Sequence, residues 1–137
     1  MAGKAGAVAN GAMLESEVRS IAERLNLTTR RQVRVGRRLW GAERKIDLVV
    51  TDQSTRRTLG IECKYQRTKG TAEEKLPAVV ADIAAWPISG IVVFAGDGFS
   101  TNLRQFLYST GKAVDLLDLT EWLRLYFGLP APDANVV

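Results

Sequence analysis

The chain has 137 residues, of which 46% are hydrophobic and 25% charged, and these proportions suit one soluble globular domain with its own core. It contains no histidine, which excludes Ser-His-Asp and Cys-His nucleophiles and histidine-based zinc sites. The single cysteine excludes an intramolecular disulfide and fits a reducing cytoplasm. No apolar stretch approaches the roughly 20 residues that a membrane span requires.

The net charge of +4 is unevenly distributed along the chain. Positions 30–69 carry twelve Lys or Arg and four Asp or Glu, whereas the remainder carries seven and eleven. Such a basic segment is typical of a surface that contacts a phosphate backbone. The alternative is that arginines keep an exposed strand soluble. Both readings apply to Arg30, Arg31, Arg37 and Arg38.

The first elements are predicted from hydrophobic spacing. Residues 1–11 are expected to be a flexible lead, and 12–26 an amphipathic helix that ends at Asn26. The apolar positions of this helix recur at helical spacing: Leu14, Val18, Ile21 and Leu25. The alternation over 31–35 predicts a strand.

A β-hairpin is predicted next, with strands over 45–52 and 57–66 and a polar turn over 53–56. Successive side chains of a strand point to opposite faces of the sheet. One face of the second strand should therefore carry Leu59, Ile61, Cys63 and Tyr65. The other should carry Gly60, Glu62, Lys64 and Gln66.

The second half of the chain alternates between helical and strand patterns. We predict a helix over 71–86 containing Pro77, a buried strand over 88–95, a helix over 100–109, a strand over 113–117, a helix over 120–127 and a loose tail over 131–137. With no internal repeat or linker, residues 12–130 are expected to form a single α/β domain on a mixed sheet.

The hairpin brings two acidic residues together. If the turn closes it symmetrically, Asp47 lies opposite Glu62 with Cβ atoms roughly 5 Å apart, a like-charge pairing that destabilises a sheet. A divalent cation between the carboxylates would remove the repulsion. Lys64, on the same face as Glu62, can reach the same point. The sequence therefore predicts a metal site with a lysine beside it.

A helix bearing a glutamate, a β-meander with Asp47 and Glu62-Cys63-Lys64, and a following helix and strand resemble the PD-(D/E)XK nuclease superfamily over roughly residues 11–96. Arg44 precedes the aspartate as in many members, whereas Ile46 stands where others have proline. The resemblance implies an α/β, restriction-endonuclease-like fold, with an αβββαβ core and a mixed central sheet flanked by helices.

The resemblance also implies a metal-dependent site. Mg²⁺, for which Mn²⁺ could substitute, would be held by the carboxylates of Asp47 and Glu62 and the backbone carbonyl of Cys63. Lys64 would orient or deprotonate the attacking water, or neutralise charge in the transition state. Gln66 belongs to the site in several branches of the superfamily and is a further candidate here.

The helix glutamate that serves such a site is Glu15 or Glu17. Glu15 has the better spacing, because Gly11 precedes it by four residues and Val18 follows it by three. Candidate nucleic-acid-binding residues flank the site in the basic segment and just beyond it: Arg37, Arg38, Arg44, Lys45, Arg67, Lys69 and Lys75.

The implied activity is a Mg²⁺-dependent DNA endonuclease that leaves 5′-phosphate and 3′-hydroxyl ends. A homodimer in a prokaryotic or phage-infected cytoplasm would bring two such sites to duplex DNA. A Holliday junction resolvase, which acts on branched DNA, is the alternative within the same chemistry. A catalytically silent DNA-binding module and a structural protein with a Glu62–Lys64 salt bridge are the alternatives outside it.

Overall fold

The structure is a computed structural model and describes residues 8–37, 41–67 and 72–130. Its elements in chain order are α1 (Gly11–Arg24), β1 (Thr28–Arg37), β2 (Glu43–Asp52), β3 (Arg57–Tyr65), α2 (Ala72–Ala84), β4 (Gly90–Ala95), α3 (Thr101–Ser109), β5 (Ala113–Asp115), a 3-10 turn (Leu116–Asp118) and α4 (Leu119–Phe127). The predicted order of helices and strands is confirmed. The predicted tail over 131–137 and the first seven residues lie outside the described residues.

The five strands form one mixed sheet in the order β1-β2-β3-β4-β5. The first three pair as an antiparallel meander, and β4 and β5 extend the sheet in parallel with β3. The parallel connections carry helices, as crossovers between parallel strands require. The predicted α/β class and mixed sheet are confirmed.

Helices cover both faces of the sheet. On one face, Leu14 of α1 and Leu123 of α4 share a buried cluster with Ile61 and Val93. On the other face, Ile83 of α2 packs with Val92. All six residues of β4 are buried, which confirms the predicted buried strand. Among the described helices, none is long and apolar enough to cross a bilayer.

The ends of the first helix and of the fifth strand differ from the predictions. Helix α1 ends at Arg24, two residues earlier than predicted, because Asn26 has a positive φ of 63° that no helix continues. Strand β5 ends at Asp115, where the side chain accepts a hydrogen bond from the Leu117 amide. That bond starts a 3-10 turn over two positions predicted to be strand.

Trp86 was predicted to be the last residue of a helix but lies beyond it, since α2 ends at Ala84. Its ring packs over Gly60 and Gly90, which are paired on neighbouring strands. A Cβ added at Gly60 would come within 2.7 Å of the indole, and one at Gly90 within 2.4 Å. Only glycine at both positions lets the indole lie this close to the sheet.

Candidate active site

The turn between β2 and β3 fixes the register of the hairpin. The Asp52 carboxylate accepts hydrogen bonds from the amide and hydroxyl of Ser54 and from the Thr55 hydroxyl. Asp52 then pairs with Arg57, and the ladder runs to the pair Leu48–Ile61. Continued by one residue, this register places position 47 opposite position 62, as the sequence predicts.

The meander is irregular where Asp47 lies. In the β1–β2 ladder, Arg31 pairs with Leu48 and Val33 with Ile46, while Gln32 between them has a left-handed φ of 51°. Ile46 and Leu48 are two residues apart but lie in buried clusters on opposite faces of the sheet. The face on which β2 buries its side chains therefore changes at the position of the candidate aspartate.

The Asp47 carboxylate is directed toward β3 and held there. One oxygen, Oδ2, accepts a hydrogen bond from the Cys63 amide at 2.9 Å. The other, Oδ1, lies 3.4 Å from the side-chain amide nitrogen of Gln32. Gln32 was not among the residues singled out from the sequence, and no sequence pattern marks it, because its role depends on its own left-handed backbone and on a partner in the next strand.

Glu62 is half-buried beside Asp47, and its pKa is shifted from the ordinary value. Burial is the first cause that raises its pKa, to about 7, and the neighbouring Asp47 charge is the second. The Lys64 ammonium acts in the opposite direction, with its Nζ 3.7 Å from Oε2 of Glu62. The second oxygen of Glu62, Oε1, is buried without a hydrogen-bond partner. The structure thus brings Asp47, Glu62 and Lys64 together.

The Cys63 thiol marks the point where the charged groups meet. Burial raises its pKa well above the ordinary value, and the charges of Asp47, Glu15 and Glu62 raise it further, while Lys64 lowers it. A thiol in this setting stays protonated and is a poor nucleophile. The residues beside it, rather than the thiol, therefore carry any chemistry of this site.

Of the two helix glutamates, the structure brings Glu15 to the site. Its Oε1 accepts a hydrogen bond from Nε of Arg31 at 2.7 Å, and its charge acts on the Cys63 thiol. Glu17 instead lies 3.9 Å from Arg24 and lines a groove along the outer side of α1. These contacts favour Glu15 as the helix residue of the site.

Gln66 lies just beyond the end of β3, and its side chain is buried. Its amide nitrogen donates to the Gly98 carbonyl at 2.8 Å, and its Oε1 is buried without a hydrogen-bond partner. The Gly98 amide in turn donates to the Gln66 carbonyl. Gln66 thus ties the end of β3 to the turn after β4, and its place in the site stays a prediction.

The candidate nucleic-acid contacts differ in how free they are. Arg44 pairs with Asp82 at 3.0 Å with only 21% of its side chain exposed, and so joins β2 to α2. Arg37 is exposed and donates to the Gly41 carbonyl, and Lys45, half exposed, pairs with Glu43. Arg67 is exposed. The predicted contacts that lie outside the described residues or side chains are Arg38, Lys69 and Lys75.

The donor set suits a hard cation. Within residues 8–37, 41–67 and 72–130, no group of three or more Asp, Glu or Cys residues is placed to hold a metal ion. Asp47 and Glu62 provide two carboxylates, one of them with a buried oxygen that lacks a partner. Oxygen ligands of this kind, few in number and completed by water, are what Mg²⁺ prefers.

Comparison with known proteins agrees with this geometry. The model of the PD-(D/E)XK nuclease superfamily domain matches residues 6–125. A crystal structure of a protein of unknown function, AF1548, is similar in fold, with a TM-score of 0.51 and 18% sequence identity. That similarity covers 74% of this chain and 55% of the other, so the chain spans about half of that protein's length. A search of curated protein sequences gave no match. The family match includes every strand of the sheet and the site between β2 and β3, and the chain belongs to the PD-(D/E)XK nuclease superfamily.

Proposed function

We propose that the protein is a Mg²⁺-dependent DNA endonuclease that hydrolyses phosphodiester bonds to 5′-phosphate and 3′-hydroxyl ends. The observation that carries the proposal is Glu62, whose buried Oε1 lacks a partner although Asp47 and Lys64 lie beside it. A buried carboxylate next to a second carboxylate is costly unless a cation neutralises the pair. The superfamily suggests what such a pair does, namely nuclease chemistry.

Asp47 and Glu62, with the Cys63 carbonyl, would hold the cation. When bound, Mg²⁺ acts as a Lewis acid on the phosphate and lowers the pKa of its bound water. The Cys63 amide and the Gln32 side chain keep the Asp47 carboxylate aimed at β3. Arg31 holds Glu15 in place at the same site.

Lys64 is the group that suits contact with the substrate. Its side chain is 41% exposed, whereas the Glu62 side chain is 13% exposed. The ammonium can therefore pair with Glu62 in the free protein and reach a phosphate oxygen or the attacking water when DNA is present. Neutralising charge at the phosphate and positioning or deprotonating water are both within reach of a flexible ammonium.

Cleavage of supercoiled plasmid with Mg²⁺ tests the proposal. We expect Lys64→Ala to cut roughly 10²- to 10⁴-fold more slowly than the wild type, the usual contribution of such a group. Lys112→Ala is the matched control, because Lys112 is an exposed lysine at the start of β5. Absence of cutting by the wild type with Mg²⁺ or Mn²⁺ would refute the enzyme proposal and favour a silent DNA-binding module. Cutting by Lys64→Ala at the wild-type rate would refute the assignment of the active site.

A homodimer is the arrangement that suits cleavage of both strands, because one site cuts one strand. Branched DNA is the second candidate substrate. The exposed arginines of β1, Arg30, Arg34 and Arg37, suit phosphate contacts, which position DNA without reading its sequence. The same assay on plasmid, linear duplex and four-way junction therefore separates an endonuclease of duplex DNA from a junction resolvase.

A further inference from the structure

A groove lies where the parallel strands β3, β4 and β5 end. This groove has a volume of about 430 Å³, within the ~300–1,000 Å³ typical of small-molecule sites. Its floor includes Ala95 and Leu116, and its polar lining includes Tyr65, Arg67, Asp97, Arg104 and Asp115.

The inner wall of the groove is formed by charged groups that pair with each other. Nη1 of Arg104 lies 3.0 Å from Oδ2 of Asp115, and Nη2 donates to the Gly96 carbonyl at 3.0 Å. The guanidinium also lies 5.3 Å from the centre of the Phe94 ring. These contacts fix the shape of the wall and leave Arg104 and Asp115 engaged with each other.

The rim of the groove offers unengaged groups. Arg67 and Asp97 are exposed, and neither makes a hydrogen bond or an ion pair with the part of the chain that the structure describes. The half-buried Tyr65 ring lies beside Gly96, where a Cβ would come within 3.2 Å of it. A groove lined by an aromatic ring, a guanidinium and a carboxylate matches a nucleobase, which stacks on the ring and bonds through its edge.

The groove is close to the candidate active site. Tyr65 directly follows Lys64, and the Cα atoms of Arg67 and Lys64 are at most about 11 Å apart, the reach of three residues. Because Lys64 and Tyr65 point to opposite faces of β3, DNA would have to pass the end of this strand to present a phosphate to Lys64 and a base to the groove.

We infer that this groove binds one unpaired base of the DNA substrate, so that the protein favours DNA with an unpaired nucleotide near the cut over fully paired duplex. The inference rests on the proposed function for its substrate. A base in a duplex is stacked and paired, and only an unpaired or extruded base can enter a groove of this kind. The ring of Tyr65 supplies stacking, and Arg67 and Asp97 supply polar contacts to the base edge.

The test measures binding rather than cleavage. Dissociation constants are measured in EDTA by fluorescence anisotropy for two forms of one duplex, one fully paired and one with a single-nucleotide bulge. The quantity compared is the ratio of the constant for the paired form to that for the bulged form. We expect the wild type to bind the bulged duplex roughly tenfold more tightly, the order of one base–aromatic stack. Tyr65→Phe should keep the ratio, whereas Tyr65→Leu and Arg67→Ala should each lower it at least threefold.

Arg56→Asn is the control for charge, because Arg56 lies in the turn at the opposite end of β3 and asparagine tolerates its positive φ of 64°. Arg67 is exposed, so Arg67→Ala tests the groove even if Tyr65→Leu fails to fold. Equal affinity of the wild type for the two duplexes would overturn the inference, as would an unchanged ratio in Arg67→Ala. A preference for the bulge in a protein that cuts nothing would support the groove and refute only the nuclease proposal.

Discussion

At the scale of single residues, the site places a carboxyl group with a raised pKa, Glu62, next to the Asp47 carboxylate, which is held by a backbone amide. Glu62 is half-buried, and burial and the Asp47 charge raise its pKa to about 7, while Asp47 accepts a hydrogen bond from the Cys63 amide. Near neutral pH the metal-free protein thus holds a mixture of protonated and ionised Glu62. Binding of a cation would favour the ionised form, which couples metal affinity to pH.

The raised pKa of Glu62 predicts a pH-dependent stability. Its folded-state pKa lies above the ordinary carboxylate value, so this group stabilises the fold at low pH, and that stabilisation is lost as the pH rises through about 7. Without metal, we expect the free energy of unfolding of the wild type to fall relative to that of Glu62→Gln between pH 5 and pH 8.

Urea unfolding at both pH values, in EDTA and in Mg²⁺, measures this difference. Magnesium should raise the stability of the wild type more at pH 8 than at pH 5 and leave Glu62→Gln nearly unaffected. If the free energy of unfolding changed with pH in the same way for both proteins, the pKa of Glu62 would not be raised.

The sequence predicted that Asp47 and Glu62 lie side by side, but not the contact that holds Asp47 in place. Alternation in β3 and the polar turn were sufficient to place Asp47 against Glu62, because both are local features. Gln32 and the face change between Ile46 and Leu48 could not be predicted, since they involve a left-handed residue of one strand and a residue of the neighbouring strand.

At the scale of elements, the end of α2 is determined by packing across the sheet. Helical spacing continues to Trp86, but the paired glycines Gly60 and Gly90 leave room for the indole on the sheet. The Trp86 ring nitrogen lies 3.3 Å from Asp82, which also pairs with Arg44. These partners are distant in sequence. The sequence therefore could not show that Trp86 leaves the helix, nor that Arg44 pairs with Asp82.

Gly90→Ala is therefore expected to destabilise the protein. The added Cβ would lie 2.4 Å from the Trp86 ring, which must move. Overpacking of this kind costs on the order of 1–3 kcal/mol, measurable by urea unfolding. Gly11→Ala is the control, since a Cβ there meets nothing within 4 Å. A Gly90→Ala protein as stable as the wild type would show that Trp86 packs elsewhere.

At the scale of the whole molecule, exposed basic side chains are concentrated on one edge of the sheet. Strand β1 contributes Arg30, Arg34 and Arg37, and the basic composition of positions 30–69 anticipated this surface. If it contacts DNA, affinity must fall with salt as bound counterions are released. The composition could not identify which arginines are held by acids, because that depends on partners such as Asp82.

Loss of one phosphate contact should appear in the salt dependence. For Arg37→Ala, the slope of log K against log salt for duplex DNA in EDTA should be shallower by about 0.9. Arg56→Asn, which removes a charge from the far turn, should keep the wild-type slope. An unchanged slope in Arg37→Ala would remove β1 from the DNA-binding surface.

The edges of the sheet also restrict how two copies of this chain could assemble. Pairing β1 with β1 of a second copy would bring rows of arginines together, across a strand whose backbone is left-handed at Gln32. The opposite edge, β5, has three residues and offers too few hydrogen bonds for a stable extension. A homodimer with two cutting sites would therefore have to join through helices or loops, and its geometry would set the stagger between the two nicks.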